Sequence, residues 1–128
     1  MKVTILHIIE PTTFGTVVEF STTYGVGRSL FSSAEIQENQ TYDVEIDIDD
    51  DFIWSENIPL SSDCAPSIHF NSGGLHITAE LISNEEDGCG ALKLGDAIIL
   101  ISLNKTNQSL PVFVDILAQS SSLHPTNI

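Results

Sequence analysis

The sequence predicts an all-β fold: a single-domain antiparallel β-barrel or β-sandwich, with an OB-like barrel as one version and at most one short helix. Three observations lead to this prediction. About nine short segments rich in β-branched or alternating apolar residues follow one another at near-regular spacing. Gly, Pro, Asn and Asp cluster between them, and no stretch has the 3.6-residue period of a full-length amphipathic helix. Since 128 residues is the length of one domain, we predict a single β domain over residues 1–128.

The first quarter of the chain is predicted to form three strands. Residues 3–9 and 16–21 are rich in Val, Ile and Phe, and residues 28–32 are expected to form a short third strand. Gly25 and Gly27 predict a turn or bulge before the third strand. The segment Ser32–Gln40 begins with a capping-box pattern but lacks apolar periodicity, so we expect one helical turn there and no more.

The fourth strand carries the most regular pattern in the sequence, because every second residue from 42 to 48 is apolar. An alternating pattern places the apolar side chains on one face and the acidic ones on the other. The Asp49–Asp51 run is expected to end the strand, since Asp disfavours strand interiors. The apolar side chains are Tyr42, Val44, Ile46 and Ile48, and the acidic side chains are Asp43, Glu45 and Asp47.

The rest of the chain continues the alternation of strands and turns. Residues 120–128 are expected to be a tail or a final edge segment. The predicted strands are residues 67–70, 75–82, 97–101 and 112–117, and the predicted loops and turns are residues 55–66, 71–74, 84–90 and 104–109.

The charge of the protein is unevenly distributed along the chain. The net charge is −14, and the stretch from Ser29 to Leu92 holds 14 acidic residues and no Lys or Arg. Outside this stretch, four acidic residues balance four basic ones. Such a field repels nucleic acid and acidic membranes, and it attracts basic proteins or cations.

The sequence favours a cytoplasmic protein. The opening segment MKVTILHIIEP is too short and too polar for a secretory signal, and no apolar run is long enough to span a membrane. The two cysteines, Cys64 and Cys89, are too few for a disulfide framework and fit a reducing compartment.

No catalytic or cofactor motif is present, so we expect neither an enzyme nor a cofactor. Residues 47–52 begin like a calcium-binding EF-hand loop, but Phe52 stands where Gly is needed and Ile58 where Glu is needed. His69 and His76 flank a Gly-Gly turn and would face each other in a hairpin. Their spacing relative to the cysteines is not that of a zinc site, so we expect no metal.

Four interpretations of the acidic stretch remain: a loose carboxylate site for a divalent cation, a catalytic carboxylate pair, a solvated face, and a docking surface for a basic protein. A row of similar, solvated acids offers no pair with separated pKa values. Carboxylates about 7 Å apart along a strand repel one another, and no basic residue relieves that repulsion here. The docking surface is therefore favoured. Its predicted residues are Asp43, Glu45, Asp47, Asp49, Asp50, Asp51 and Glu56, a second patch of Glu85, Glu86 and Asp87, and an anchor at Trp54, for which Phe52 and Tyr42 are neighbouring candidates.

The segments YDVEIDI (42–48) and LKLGDAIIL (92–100), within a small acidic β domain, resemble immunity proteins of bacterial toxin systems, of which contact-dependent growth inhibition is the best known. This resemblance implies a protein that binds its cognate toxin in the cytoplasm and blocks the toxin's active site or substrate surface. Nuclease toxins bind polyanions, so their immunity proteins are often acidic. The alternatives are an acidic nucleic-acid mimic that inhibits a DNA-binding protein, and a carboxylate-lined module that binds a cation or another ligand. The oligomeric state is left open.

Overall fold

The computed structural model describes residues 1–33 and 35–126, and its eleven strands confirm the all-β prediction. No helix occurs among these residues, and so none is long and apolar enough to cross a lipid bilayer. The strands are β1 (Lys2–Thr12), β2 (Gly15–Thr22), β3 (Gly25–Phe31), β4 (Thr41–Ile48), β5 (Asp51–Phe52), β6 (Ser67–Asn71), β7 (Gly74–Asn84), β8 (Cys89–Leu94), β9 (Ala97–Leu103), β10 (Val112–Ala118) and β11 (Ser121–Pro125).

Five strands close into a barrel in the order β1, β2, β3, β11, β4 and back to β1. All the pairings are antiparallel except β3 with β11. Alternation turns side chains such as Val3, Phe20 and Ile46 inward, and their acidic or polar neighbours outward. A closed five-stranded barrel is the architecture expected of the OB-like version of the prediction.

Strand β11 corrects the prediction of a C-terminal tail or edge segment at residues 120–128. It lies between β3 and β4 and closes the barrel. The sequence signal is weak because only Leu123 of its five residues is fully buried, and serine, histidine and proline surround it. Asn127 and Ile128 lie outside the described residues.

The predicted helical turn at Ser32–Gln40 is absent from the described residues of that segment, and Ala34 lies outside them. The backbone bonds to β1 instead: Ile5 N–H donates to the Gln40 carbonyl at 3.0 Å, and Asn39 N–H donates to the Ile5 carbonyl at 2.7 Å. Ile36 is buried. These contacts use backbone groups that would otherwise form a helical turn.

A second sheet is built from the residues between β4 and β11. Its strands lie in the order β10, β7, β8, β9, β5, with β6 beside the first half of β7. It meets the barrel where Gly25 of β3 pairs with Ile68 of β6. Gly25 has φ +138°, and a Cβ there would collide with the Ile68 carbonyl oxygen, so only glycine fits. Gly25 and Gly27 therefore belong to a strand, where a turn or bulge was predicted.

One buried cluster fills the space enclosed by both sheets. It contains Phe20 and Phe31 of the barrel together with Phe52, Leu81 and Leu92 of the second sheet. A shared core makes the chain one small domain, with the acidic strand β4 at the boundary between the two sheets.

Candidate functional site

Strand β4 presents a row of carboxylates to solvent. Its apolar residues Val44, Ile46 and Ile48 are at most 7% exposed, because they face the core. The side chains of Asp43 and Asp47 are 46% and 60% exposed. Residues 43 to 47 of a strand span about 13 Å, so the row concentrates three negative charges on a short outer ridge of the barrel.

Few charged groups balance this row. The Met1 amino group lies 3.4 Å from Asp43 Oδ1, and Lys2 is the cross-strand neighbour of Asp43. The His124 imidazole Nε2 lies 3.1 Å from Asp47 Oδ2, a contact that is an ion pair only with a protonated imidazole. Within the described part of the chain, Glu45 makes no ion pair, nor do the acids that follow β4. The negative field is therefore strongest from the middle of β4 onward.

Asp50 differs from its neighbours because its carboxylate is used inside the protein. Its two oxygens accept hydrogen bonds from the backbone N–H groups of Gln119 and Ser120, each at 2.9 Å. Asp49 N–H donates to the Ser120 carbonyl, also at 2.9 Å. Asp50 thus connects the segment that follows β4 to the turn between β10 and β11. We therefore assign its carboxylate a structural role and not a role in partner docking.

We expect Asp50→Ala to lower the free energy of unfolding by about 1–3 kcal/mol, because two backbone donors lose their acceptor. Asp49→Ala is the matched control and should change it by less than about 0.5 kcal/mol, since the Asp49 side chain is exposed. Urea titration of both variants measures the difference. Equal effects from the two substitutions would contradict the role assigned to Asp50.

The second predicted patch lies next to the part of the first patch that follows β4. Asp51 of β5 pairs with Ser102 of β9, and Ser102 pairs with Cys89 of β8. Two strand spacings place Asp51 about 10 Å from Cys89, which directly follows the β7–β8 turn with its three exposed acids. Glu56 is also exposed, in the turn after β5. We call the combined surface the acidic ridge, and its members are Asp43, Glu45, Asp47, Asp49, Asp51, Glu56, Glu85, Glu86 and Asp87.

Two of the three candidate aromatic anchors are structural. Phe52 is 2% exposed and belongs to the core, so its prediction as a possible anchor is wrong. The strand alternation explains this, because Phe52 continues the inward face while Asp51 points outward. Tyr42 packs edge-on against Phe31 at 5.4 Å, and its hydroxyl accepts a hydrogen bond from Gln37 N–H at 2.9 Å.

Trp54 lies half-buried beside an open cleft of about 580 Å³. Its indole N–H donates to Asn84 Oδ1 at 3.1 Å, and its backbone N–H donates to Asn104 Oδ1 at 2.8 Å. The indole ring therefore lines the cleft in a fixed orientation and does not project from the surface as an anchor residue would. Ile58, Pro59, Leu60, Thr106 and Gln108 also line the cleft.

Two exposed aliphatic side chains near the ridge were missed by the sequence reasoning. Ile53 directly follows Phe52 and is 45% exposed, and Leu60 of the Trp54 cleft is 54% exposed. The alternation that buries Phe52 would have indicated an outward Ile53. These side chains supply apolar contact area beside the carboxylates, which a docking surface needs for affinity.

The structure brings His69 and His76 together, as the hairpin prediction required. They are cross-strand partners in β6 and β7, stacked at a centroid distance of 4.6 Å with 6° between the rings. In the described ranges, no group of three or more His, Cys, Asp or Glu side chains has an arrangement that would hold a metal ion. Cys64 and Cys89 are free thiols.

Comparisons of the chain with protein-family models, with curated proteins and with solved structures found no match.

Proposed function

We propose that the protein is an immunity protein that binds and neutralises a basic toxin, of the nuclease class, through the acidic ridge. The observation that carries this proposal is the continuity of the ridge. The ridge runs along β4 to Asp51 of β5, which lies about 10 Å from Cys89 and the acids of the β7–β8 turn, although its members are up to 44 positions apart in the sequence.

Inhibition by such a surface is steric and electrostatic. A nuclease holds its polyanionic substrate with Lys and Arg side chains, which make most of their contacts to phosphate oxygens. Carboxylates of the ridge take the place of those phosphates and cover the surface that the substrate needs. Because few positively charged groups of the protein itself lie beside these carboxylates, the negative field of the ridge also accelerates the encounter with a basic partner.

The apolar part of the interface lies beside Trp54. Charged rims set association rate and specificity, whereas a few well-packed apolar contacts contribute most of the affinity. The exposed Ile53 and Leu60 side chains and the Trp54 cleft provide this apolar centre next to Asp51 and Glu56.

Affinity capture from a native lysate tests the proposal with a neutralised variant that keeps Asp50 intact: Asp47→Asn, Asp49→Asn and Asp51→Asn together. The matched control removes three exposed acids that are not members of the ridge, by Glu10→Gln, Glu35→Gln and Asp63→Asn. We expect one basic protein to be captured stoichiometrically by the wild type and by the control, and to be lost by the ridge variant.

Two other results of the capture would count against the proposal. Equal capture by the ridge variant and the wild type would show that the ridge is only a solvated face. Capture of several unrelated DNA-binding proteins would favour a nucleic-acid mimic, because an immunity protein binds one cognate toxin.

A further inference from the structure

One edge of β9 is left open next to the acidic ridge. Along its other edge, β9 pairs with β8 over its whole length. On the open side it pairs with β5 only at Ser102 and Leu103. No strand in the described part of the chain pairs with residues 97–101 on that side.

The hydrogen-bonding direction of each β9 residue follows from the ladder. Leu103 N–H donates to the Gly88 carbonyl at 2.9 Å, and antiparallel bonding alternates along a strand, so Ile99 and Ile101 also bond towards β8. The N–H and C=O groups of Ile98 and Leu100 therefore point to the open side. The side chains of these two residues are 52% and 63% exposed.

Strand β4 faces this open edge without pairing with it. Val44 exchanges two backbone hydrogen bonds with Met1, at 2.8 and 2.9 Å, and the same alternation points the backbone groups of Ile46 and Ile48 towards β9. The chain runs from β4 into β5, which does pair with β9. The two edges therefore diverge from β5 and enclose a wedge-shaped cleft of about 410 Å³. Its lining residues are Met1, Val44, Glu45, Ile46, Ala97, Ile98, Ile99 and Thr126.

Apart from the neighbouring β4, which covers it in part, the open edge carries none of the features that protect natural sheet edges. Such edges are shielded by Lys, by Pro, by bulges or by very short strands. The sequence AIILI at residues 97–101 has no charge and no proline, and its pairing with β8 is regular. An edge of this kind is suited to receive another strand.

Charge decides which strand can occupy the cleft. Glu45 lines the cleft, and Asp43 and Asp47 flank it on the outer face of β4. A second copy of this chain, with a net charge of −14, would be repelled there. An extended segment that alternates basic and apolar residues places its cations on the outer face, beside Glu45 and next to the exposed Ile98 and Leu100 side chains. Its apolar side chains then lie on the inner face, beside Ile46 and Ile99.

We propose that an extended basic segment of the partner protein adds to the Ile98–Leu100 edge of β9 as a new strand and fills this cleft. The inference rests on the proposed function and specifies how the partner is held. Cα atoms of β4 and β9 come within 8 Å of each other, whereas a strand inserted between two others needs about 9.6 Å. The segment therefore enters at the open end of the wedge, near Ala97, and widens the cleft as it pairs.

Amide hydrogen exchange tests the edge directly, with a synthetic six-residue peptide of alternating Lys and Val as the probe. In the free protein, we expect the amides of Ile98 and Leu100 to exchange fast and those of Ile99 and Ile101 to exchange slowly. The peptide should slow exchange at Ile98 and Leu100 at least about tenfold. The same peptide with N-methylated backbone positions should give no protection, because it cannot form the ladder.

A proline substitution separates backbone pairing from side-chain contact. Leu100→Pro removes a donor that points away from β8, so the ladder with β8 is kept, whereas Leu100→Thr keeps the donor and shortens the side chain. We expect Leu100→Pro to weaken peptide binding about tenfold and Leu100→Thr to weaken it less. Because the N-methylated peptide tests the same bonds on the unmodified protein, a folding defect of the proline variant does not decide the result.

The outcomes of these experiments distinguish failure of the strand-addition inference from failure of the proposed acidic docking. No binding of the peptide to the wild type, or equal binding of the N-methylated peptide, overturns the strand-addition inference. A wild-type dimer that Leu100→Pro dissociates would also overturn it, because the occupant would be a second copy. Binding that Leu100→Pro removes but that Asp43→Asn, Glu45→Gln and Asp47→Asn together leave unchanged would support strand addition and contradict the acidic docking of the proposed function.

Discussion

Reversing three charges of the acidic ridge, by Asp47→Lys, Asp49→Lys and Asp51→Lys, will weaken partner binding at least about 100-fold. Like charges brought together at an interface cost several kcal/mol, and 100-fold corresponds to about 2.8 kcal/mol. Most of the loss should lie in the association rate, because the ridge steers a basic partner over a distance. Stopped-flow measurements at low and at physiological ionic strength report this rate.

The control for charge reversal carries the same change in net charge elsewhere. Glu10→Lys, Glu35→Lys and Asp63→Lys together alter three exposed acids that are not part of the ridge. This control should associate with the partner at a rate within about threefold of the wild type, and it should keep the steep salt dependence. If it lost as much affinity as the ridge variant, net charge rather than the ridge would explain binding.

Replacing Phe52 by alanine will lower the free energy of unfolding by about 3–5 kcal/mol. The side chain is 2% exposed and lies in the common core, on the two-residue strand that joins β4 to the second sheet. A cavity at this junction removes contacts with both sheets. Guanidinium titration, with the denaturant slope compared between variant and wild type, gives the change in stability.

Ile53→Ala is the contrasting substitution, because the neighbouring side chain is 45% exposed. It should lower the free energy of unfolding by less than about 1 kcal/mol, and it should weaken partner binding. A Phe52→Ala variant of normal stability that no longer bound the partner would instead make Phe52 an anchor, and the core assignment would be wrong.

Most of the strands could be predicted from the sequence, because they show a two-residue alternation of apolar side chains or are rich in β-branched residues. Residues 42–48 alternate without exception, and the structure has β4 at Thr41–Ile48. Strand β11 was not predicted as a barrel strand, because only Leu123 is fully buried in it and its sequence pattern is that of a polar tail. The position of the second sheet against the barrel depends on long-range pairings such as Gly25 with Ile68, for which a local pattern gives no signal.

The acidic residues of the candidate site could be identified from the sequence, but their arrangement into one surface could not. Charge counting identified every carboxylate of the ridge, yet it could not show that Asp51 lies two strands from Cys89. It also could not separate Asp50, which binds two backbone N–H groups, from its exposed neighbours. Whether a carboxylate is free or used inside the protein depends on tertiary contacts, and three consecutive aspartates look alike in sequence.

The most direct measurement is growth rescue in cells that produce the captured basic partner. The proposal requires that the partner alone stops growth, and that co-expression of the wild-type protein or of the charge-reversal control outside the ridge restores it. The variant with Asp47, Asp49 and Asp51 reversed, produced at the same level, should fail to restore growth. Full rescue by that variant would contradict the claim that the acidic ridge neutralises a toxin.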